Sequence, residues 1–404
     1  MSEKKKNTPQ RGRIDHSGHT RTQNSKNNPD RLSPAIIKLL IVLALVLAVV
    51  ATWNHRIDLS CANMTQCARD SMSMCGSGEG FPSTINGSHA YSIDCIAGNA
   101  VALLSDTSLT IYDDSANEVA VRAHFMSDPA MKISGRYAAL VDLGSTDYRI
   151  EAAAETILIG NSERPLVSCA VSRNCCFALV MQGSSRGESW LSSVEVLDRE
   201  GSSLHRWHCA DWYITDAALS ADGKYLAMCG VNASEGDLVS AIIIQQVGSS
   251  EQVAEYVQDN NLYLWLEYNN DGTLFGVGST TLTVITDSGT KRENIAHGGD
   301  LTAFDVCYDG GVALCIDDEV GTDLTVYDAR GRERFTAPVG HSVQSVSLSD
   351  EACAALGDGT MTALRLDGTL IGSCDANATT GGLLLINRHA YTVDGMRVSS
   401  WDWN

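Results

Sequence analysis

A segment of about forty residues recurs along the chain, and this repeat constrains the fold more than any other feature of the sequence. Each copy contains an alternating strand that ends in an acidic or turn residue. The copies LTIYD at Leu109 and LTVYD at Leu324 are nearly identical. The eight copies begin at Leu109, Tyr148, Val194, Ile242, Leu282, Leu324, Ala363 and Val398.

A tight turn followed by an Ala-rich apolar strand precedes the alternating strand in most copies. Asp222-Gly223 and Asp271-Gly272 are the clearest of these turns. Asp-Gly between alternating runs predicts a hairpin, because Gly accepts a positive φ. We therefore interpret these aspartates as turn residues and not as ligands.

Four short strands in about forty residues make one blade of a β-propeller. The predicted fold is all-β, a propeller of eight four-stranded blades over residues 81–404, with seven blades as the alternative. The last copy ends one strand short, and Phe81–Ile85 is the candidate for the missing outer strand. The chain shows no helical period of ten or more residues within this region.

Residues 36–53 form an apolar stretch whose only charge is Lys38, and Trp53 lies where an interfacial anchor belongs. This pattern predicts a transmembrane signal-anchor helix over residues 35–53 that precedes the propeller. Basic residues crowd its amino-terminal side, which predicts a cytoplasmic amino terminus and an extracellular propeller at the cell membrane. A secretory signal cleaved after Ala51 is the alternative.

The two sides of this stretch differ in charge. Nine of the 29 Lys and Arg residues, but three of the 49 Asp and Glu residues, lie in the first 38 positions. Residues 1–34 are predicted to be a disordered basic tail and residues 54–80 a short extracytoplasmic spacer. The acidic remainder repels phosphate backbones, so nucleic acid is not an expected partner.

All thirteen cysteines follow the apolar stretch. Several occupy strand positions where other copies have Ala or Val, which favours buried thiols: Cys95, Cys229, Cys307, Cys315 and Cys353. The better disulfide candidates lie in the spacer, at Cys61, Cys67 and Cys75. Cys175-Cys176 is a vicinal pair without metal-like spacing, so zinc is not predicted.

Motifs of known enzyme chemistry, such as GxSxG, HExxH and the Walker loop, do not occur in the sequence. His205 and His208 near Asp211 form the only tight histidine cluster, which a polar loop explains as well as a metal site. Asp317-Asp318-Glu319 with Asp323 could bind Ca²⁺, although an exposed acidic loop is the simpler interpretation. No catalytic, cofactor-binding or metal site is assigned, and no cofactor is expected.

Two stretches carry a resemblance to a known family. They are GEGFPSTINGSHAYSIDCIAGNAVALLSDTSLTIYDDSANEV at 78–119 and DPAMKISGRYAALVDLGSTDYRI at 128–150. They resemble the opening of a family of single-pass, membrane-anchored bacterial propellers, found mainly in Gram-positive anaerobes and classified as a domain of unknown function. Such propellers are similar in architecture to WD-repeat and quinoprotein propellers, but Trp401-Asp402 is the only WD pair here. The resemblance implies topology and fold and assigns no catalytic residue.

The predicted function is a non-catalytic binding module at the cell envelope, with a protein or glycan partner on the propeller face. The first alternative is a hydrolase or lyase with a metal in the propeller axis, which requires His205, His208 or His297 to meet carboxylates there. The second alternative is a transmembrane sensor that signals to the basic tail.

Overall fold

The computed structural model describes residues 34–54, 56–183, 189–234, 236–308, 310–377 and 380–402, which form two α-helices and 32 β-strands. The strands form eight four-stranded antiparallel sheets. This confirms the prediction of an all-β propeller with eight blades, and it excludes the seven-bladed alternative. The predicted basic tail at 1–34 lies almost wholly outside the described residues.

Strands are named in chain order, and the first strand of each blade is the innermost. Blade 1 contains β2 (Ala90–Ile96), β3 (Ala100–Ser105), β4 (Ser108–Tyr112) and β5 (Glu118–Ala123). Blade 2 contains β6 (Pro129–Ser134), β7 (Tyr137–Asp142), β8 (Asp147–Ala152) and β9 (Thr156–Asn161). Blade 3 contains β10 (Leu166–Val171), β11 (Phe177–Gln182), β12 (Ser192–Leu197) and β13 (Ser203–Cys209). Blade 4 contains β14 (Tyr213–Leu219), β15 (Tyr225–Ser234), β16 (Asp237–Gln246) and β17 (Gln252–Asp259).

The second half of the ring repeats the pattern. Blade 5 contains β18 (Tyr263–Tyr268), β19 (Leu274–Gly278), β20 (Thr281–Thr286) and β21 (Lys291–Ala296). Blade 6 contains β22 (Asp300–Cys307), β23 (Gly311–Asp317), β24 (Thr322–Asp328) and β25 (Glu333–Pro338). Blade 7 contains β26 (Ser345–Leu348), β27 (Ala352–Gly357), β28 (Thr360–Arg365) and β29 (Leu370–Asp375). Blade 8 contains β30 (Thr380–Ile386), β31 (His389–Asp394) and β32 (Arg397–Asp402).

The ring is closed by strand β1 (Ser83–Thr84), which is the outermost strand of blade 8. Ser83 pairs with Val398 and Thr84 with Arg397, antiparallel to β32. The prediction that Phe81–Ile85 supplies the missing outer strand is therefore confirmed. A propeller needs such closure, because an open blade would expose an unpaired strand edge.

Apolar side chains hold each blade to its neighbours. The eight buried hydrophobic clusters each join two adjacent blades, including blade 8 to blade 1. In blade 1 all residues of β3 and β4 are buried, which explains the Ala-rich and alternating strands of the repeat. Small residues in the second strand let the sheets pack closely around an axis.

A helix forms where the apolar stretch predicted one, as α1 (Pro34–Asn54). The chain divides into two compact units, and the boundary follows this helix at residue 54. Judged by length and hydropathy, no helix within the described residues qualifies as a membrane span.

The predicted spacer at 54–80 is not only a connection, because it contains helix α2 (Cys61–Ser73). Ser60 caps this helix, and its side chain accepts a hydrogen bond from the Asn63 N–H. The residues that α2 buries are polar: Asn63, Gln66 and Asp70. Hydrophobic periodicity could not reveal such a helix, since its buried face carries amides and a carboxylate.

Candidate functional site

The candidate site is the cavity along the propeller axis, with a volume of about 1020 Å³. The innermost strands of all eight blades contribute to its wall, and residues of α2 line one side of it. The wall combines aromatic and leucine side chains with charged groups, which is the usual character of a ligand site.

Irregularities in the innermost strands position the polar residues of this wall. The pairing register shifts between Ala90 and Ser92 in β2, between Ile214 and Asp216 in β14, and between Tyr263 and Trp265 in β18. A β-bulge changes the direction of the side chains that follow it. In each of these strands a charged residue lies at or just after the shift, at Asp94, Asp216 and Glu267.

The first charged group is the ammonium of Lys132 on β6. It donates to Asp216 Oδ2 at 2.7 Å, to the Ala217 carbonyl at 2.9 Å and to the Leu266 carbonyl at 3.3 Å. It also lies 3.9 Å from the centre of the Trp265 ring. Asp216 accepts further hydrogen bonds from Ser168 Oγ at 2.7 Å and the Leu266 N–H at 2.8 Å. This pair is thus fully satisfied, as a buried ion pair must be.

Three other carboxylates face the cavity from the innermost strands, Asp94 from blade 1, Glu267 from blade 5 and Asp305 from blade 6. None of them has an ion-pair partner among the described residues. Trp265 Nε1 donates to Glu267 at 2.8 Å, and the Leu348 N–H donates to Asp305 at 2.7 Å. Asp94 accepts from the N–H of Cys95 at 2.6 Å.

The pKa values of these three carboxyl groups are raised by their burial in the cavity wall. Burial raises the pKa of Asp94 to about 7, against the lowering effect of the Cys95 N–H. Burial also raises the pKa of Glu267 to about 8, although Trp265 and Lys132 act in the opposite direction. The pKa of Asp305 is raised by burial as well. The charged form of these carboxylates is costly here because they lie among the inner strands and none of them forms an ion pair within the described residues.

Helix α2 lies over the cavity and is fastened to blades 2 and 3 by polar contacts. Tyr137 Oη donates to Asn63 Oδ1 at 2.8 Å, and Arg199 donates to Gln66 Oε1 at 3.0 Å. Asp70 accepts from the Ala154 N–H at 3.1 Å and from Arg136 at 3.3 Å. Because Asn63, Met64, Cys67 and Ala68 also line the cavity, α2 forms part of its wall.

The histidines named in the sequence do not meet in this cavity. His205 and His208 lie on β13, the outermost strand of blade 3. His205 Nε2 is 3.1 Å from Gln245 Oε1. The His208 ring packs against the Trp190 ring, with 4.6 Å between the ring centres. His297 Nε2 is 3.1 Å from the Gly278 carbonyl. Within the described ranges no three His, Cys, Asp or Glu side chains are placed to hold a metal ion.

The acidic loop at 317–323 forms the β23–β24 hairpin. Asp318 accepts from the N–H groups of Val320 and Gly321, and Asp317 accepts from the Thr322 hydroxyl. These contacts are those of turn residues, which agrees with the simpler interpretation of the loop.

The structure contains thirteen free cysteines, so the disulfides considered for Cys61, Cys67 and Cys75 are not formed. Cys229, Cys315 and Cys353 are buried, as expected, whereas Cys95 and Cys307 are partly buried and line the cavity. Burial raises the pKa of Cys229 and Cys315 to about 12, which keeps both thiols protonated.

The sequence alone did not identify the charged residues of the axis. One pattern in the sequence could have indicated them, a charged residue within the apolar first strand of a repeat, a few positions before the turn. Asp94, Glu267 and Asp305 each fit this pattern. Their sequence separations gave no indication that they share one cavity, because eight strands from the whole chain converge there.

Comparison with known proteins agrees with the fold. The model of a family described as "Family of unknown function (DUF5711)" matches residues 83–393. No curated protein matches the chain. Among solved structures, the C-terminal WD40 domain of Sif2 is 12% identical with a TM-score of 0.58, and 80% of this chain and 99% of that one are covered.

Two bacterial structures are similar with lower TM-scores. BamB from Moraxella catarrhalis is 10% identical with a TM-score of 0.51, covering 80% of this chain and 100% of that one. Apo AztD from Citrobacter koseri is 10% identical with a TM-score of 0.51, covering 76% and 90%. At such identities the likeness shows the propeller fold alone.

Proposed function

Since this chain belongs to the DUF5711 family of unknown function, we propose from its geometry that it is a non-catalytic, membrane-anchored binding module of the cell envelope. Its ligand site is the axial cavity, and the propeller face that surrounds the cavity mouth is the platform for a protein or glycan partner. The propeller lies outside the cytoplasm, and the amino terminus lies inside.

The observation that carries the binding role is the composition of the cavity wall. A volume of about 1020 Å³ suffices for a small molecule. A structural channel would be filled by apolar side chains, as the blade interfaces are, but this one keeps Asp94, Glu267 and Asp305 without an ion-pair partner among the described residues. Groups that are costly to enclose and that have shifted pKa values are typical of functional sites.

Helix α1 supports the anchor. Its described side chains from Ile36 to Val50 are exposed, among them Leu39, Leu45 and Val49 at 60% or more. Exposed apolar side chains on every side of a helix are stable in lipid and not in water. The basic residues that precede the helix support a cytoplasmic amino terminus.

A ligand screen tests the binding role. Small molecules that are cationic, neutral or anionic are tested against the purified full chain, and binding is followed by thermal shift and by ligand-observed NMR. The variant Ser134→Trp places a large ring on a residue of the cavity wall, and Ser203→Trp places the same ring on an exposed position of β13 as the control. We expect at least one class of ligand to bind the wild type and Ser203→Trp but not Ser134→Trp. The absence of cavity-dependent binding in all three classes would refute the proposal.

Membrane extraction and reporter fusions test the anchor. We expect the chain to stay in the membrane after alkaline carbonate washing, and a reporter active only outside the cytoplasm to work after residue 402 but not before residue 34. An amino terminus at Thr52 in the mature protein would instead indicate a cleaved signal. Release by carbonate would contradict the anchor.

Metal analysis separates the binding module from the axial enzyme. The described histidines lie away from the cavity, so we expect no stoichiometric metal in the purified chain. A tightly bound metal in the wild type that is lost on replacing His205, His208 or His297 would favour the hydrolase or lyase instead.

A further inference from the structure

We propose that the axial cavity binds a small organic polycation, such as a di- or triamine, whose ammonium groups pair with Asp94, Glu267 and Asp305. This inference rests on the proposed binding function and names the class of ligand. It requires that the cavity recognise an ammonium group, that its carboxylates lie in suitable positions, and that its wall accept a hydrocarbon chain.

The protein already shows how this axis holds an ammonium group. Lys132 Nζ contacts a carboxylate, two backbone carbonyls and the face of Trp265 within 4 Å. A carboxylate, carbonyl acceptors and an indole ring together satisfy a primary ammonium, because they supply hydrogen-bond acceptors and a cation–π contact. Carboxylates recur on the same wall at Asp94, Glu267 and Asp305, which form no ion pair with Lys or Arg within the described residues.

The positions of the three free carboxylates favour a ligand with more than one charge. In an eight-bladed ring, blades 1 and 5 lie on opposite sides of the axis, so Asp94 and Glu267 face the cavity from opposite walls. Asp305, on blade 6, lies next to Glu267 in the ring order. A single metal ion would need its ligands gathered at one point, and no described group of residues offers this. A chain with amines at its ends can reach both walls.

The remainder of the wall suits the methylene groups of such a chain. Phe304, Leu383 and Leu385 line the same cavity. Apolar walls with a few fixed charges provide affinity through the hydrocarbon and specificity through the charges. The acidic surface of the domain, with 46 acidic and 20 basic residues after position 38, also attracts cations to the cavity mouth.

Binding should depend on pH, and the surrounding ionisable groups define how. Deep in the cavity these are Asp94 and Cys95 of β2, Lys132 of β6, Glu267 and Tyr268 of β18, and Asp305 and Cys307 of β22. At the mouth they are Asp58 and Cys67 near or in α2, Arg136, Arg173, Tyr308 and Asp350. Burial raises the pKa of Cys95 to about 12 and that of Tyr268 still further, so neither becomes charged near neutral pH.

The carboxylates of Asp94 and Glu267 are therefore the groups whose protonation changes when the ligand binds near neutral pH. With pKa values of about 7 and about 8, Asp94 and Glu267 are largely protonated at pH 6. An alkylamine stays charged up to a pKa of about 10.4, judged by lysine. A bound polyamine favours the ionised carboxylates, so binding releases protons and strengthens as the pH rises from 6 to 8.5.

Titration calorimetry with spermidine on the full chain tests this inference. We expect spermidine to bind the wild type more tightly at pH 8.5 than at pH 6. If binding releases protons, the measured binding heat will differ between buffers that have different heats of ionisation. Glu267→Gln and Asp94→Asn should each weaken binding about tenfold or more, since each removes a charge-assisted contact. Glu293→Gln removes one charge from exposed strand β21 and should leave binding unchanged.

Three outcomes would overturn the inference: no binding of spermidine to the wild type, equal binding by the cavity variants and Glu293→Gln, or tighter binding at pH 6. The pH series on the wild type needs no variant, so a misfolded variant cannot obscure the result. If spermidine fails while a neutral or anionic compound shows cavity-dependent binding in the screen above, the polycation is wrong and the binding function stands. If no compound binds in the cavity, both fail.

Discussion

The blade interfaces and the axial cavity are both enclosed by protein, but their chemistry is opposite. Each interface is an apolar cluster, such as the one in which Tyr137 and Ile150 of blade 2 meet Phe177 and Leu179 of blade 3. The axis instead carries one ion pair and, on the innermost strands, three carboxylates that form no ion pair within the described residues. Apolar contact therefore holds the ring together, and the charged axis is the proposed binding site.

The largest effect should come from breaking an interface. Phe177 is fully buried, and its ring centre lies 5.6 Å from that of Tyr148. Phe177→Ala should lower the free energy of unfolding by about 3–5 kcal/mol, because it removes buried surface and leaves a cavity. Denaturant unfolding measures this loss. Ile159→Ala, at a position 62% exposed in the outermost strand of blade 2, should cost far less, and equal losses would contradict the division between interface and surface.

A smaller loss should follow when the axial ion pair is broken. Lys132→Met leaves Asp216 enclosed without its cation, which should cost about 3 kcal/mol in urea unfolding. Adding Asp216→Asn to Lys132→Met should restore part of that loss. Lys291→Met breaks the exposed pair with Asp287 and should change stability by less than about 1 kcal/mol. A Lys132→Met variant as stable as the wild type would mean that the axis tolerates uncompensated charge.

The pH dependence of stability should separate the axis from the interfaces. Because the folded-state pKa of Glu267 is raised to about 8, the folded chain binds more protons than the unfolded chain between its ordinary pKa and that value. Stability from this group is therefore full at low pH and is lost as the pH rises through about 8. Glu267→Gln should be more stable than the wild type at pH 9. In this variant the free energy of unfolding should fall less steeply than in the wild type as the pH rises towards about 8. An unchanged profile would refute the assignment.

The smallest expected effect concerns the polar attachment of α2. Asp70→Asn keeps the shape of the side chain but removes its charge beside Arg136, so it should change global stability by about 1 kcal/mol or less. The effect should appear as faster hydrogen exchange in Cys61–Ser73 and not in the blades. Asp114→Asn, at an exposed position, should leave that exchange unchanged, and uniform acceleration throughout the blades would contradict a local attachment.

The sequence predicted the ring better than its centre for a physical reason. Strands such as Leu109–Asp113 and Leu324–Asp328 repeat because each must fit the same sheet and the same apolar interface. The closing strand was also predictable, since the eighth copy lacked one strand. Strand count and blade count follow from such local patterns.

The charged residues of the axis lie at similar places in their strands but recur in only some of the blades. Asp94, Lys132 and Asp305 each lie two residues before the end of a first strand, and Glu267 lies one residue before such an end. The other blades have uncharged residues at this place, so the repeat alone does not mark it as a site. Helix α2 was missed for a related reason, since Asn63, Gln66 and Asp70 are buried through hydrogen bonds. Only tertiary structure brings these residues together.

The pairing of β1 with β32 also has a consequence for how the protein is made. Ser83 leaves the ribosome long before its partner Val398, so the ring stays open during nearly all of synthesis. The interface between blades 8 and 1, where Leu384 meets Val101, forms only after this long delay. Nascent chains that stop before Arg397 present an unpaired sheet edge. Blades 8 and 1 can therefore close the ring only after strand β32 has been made.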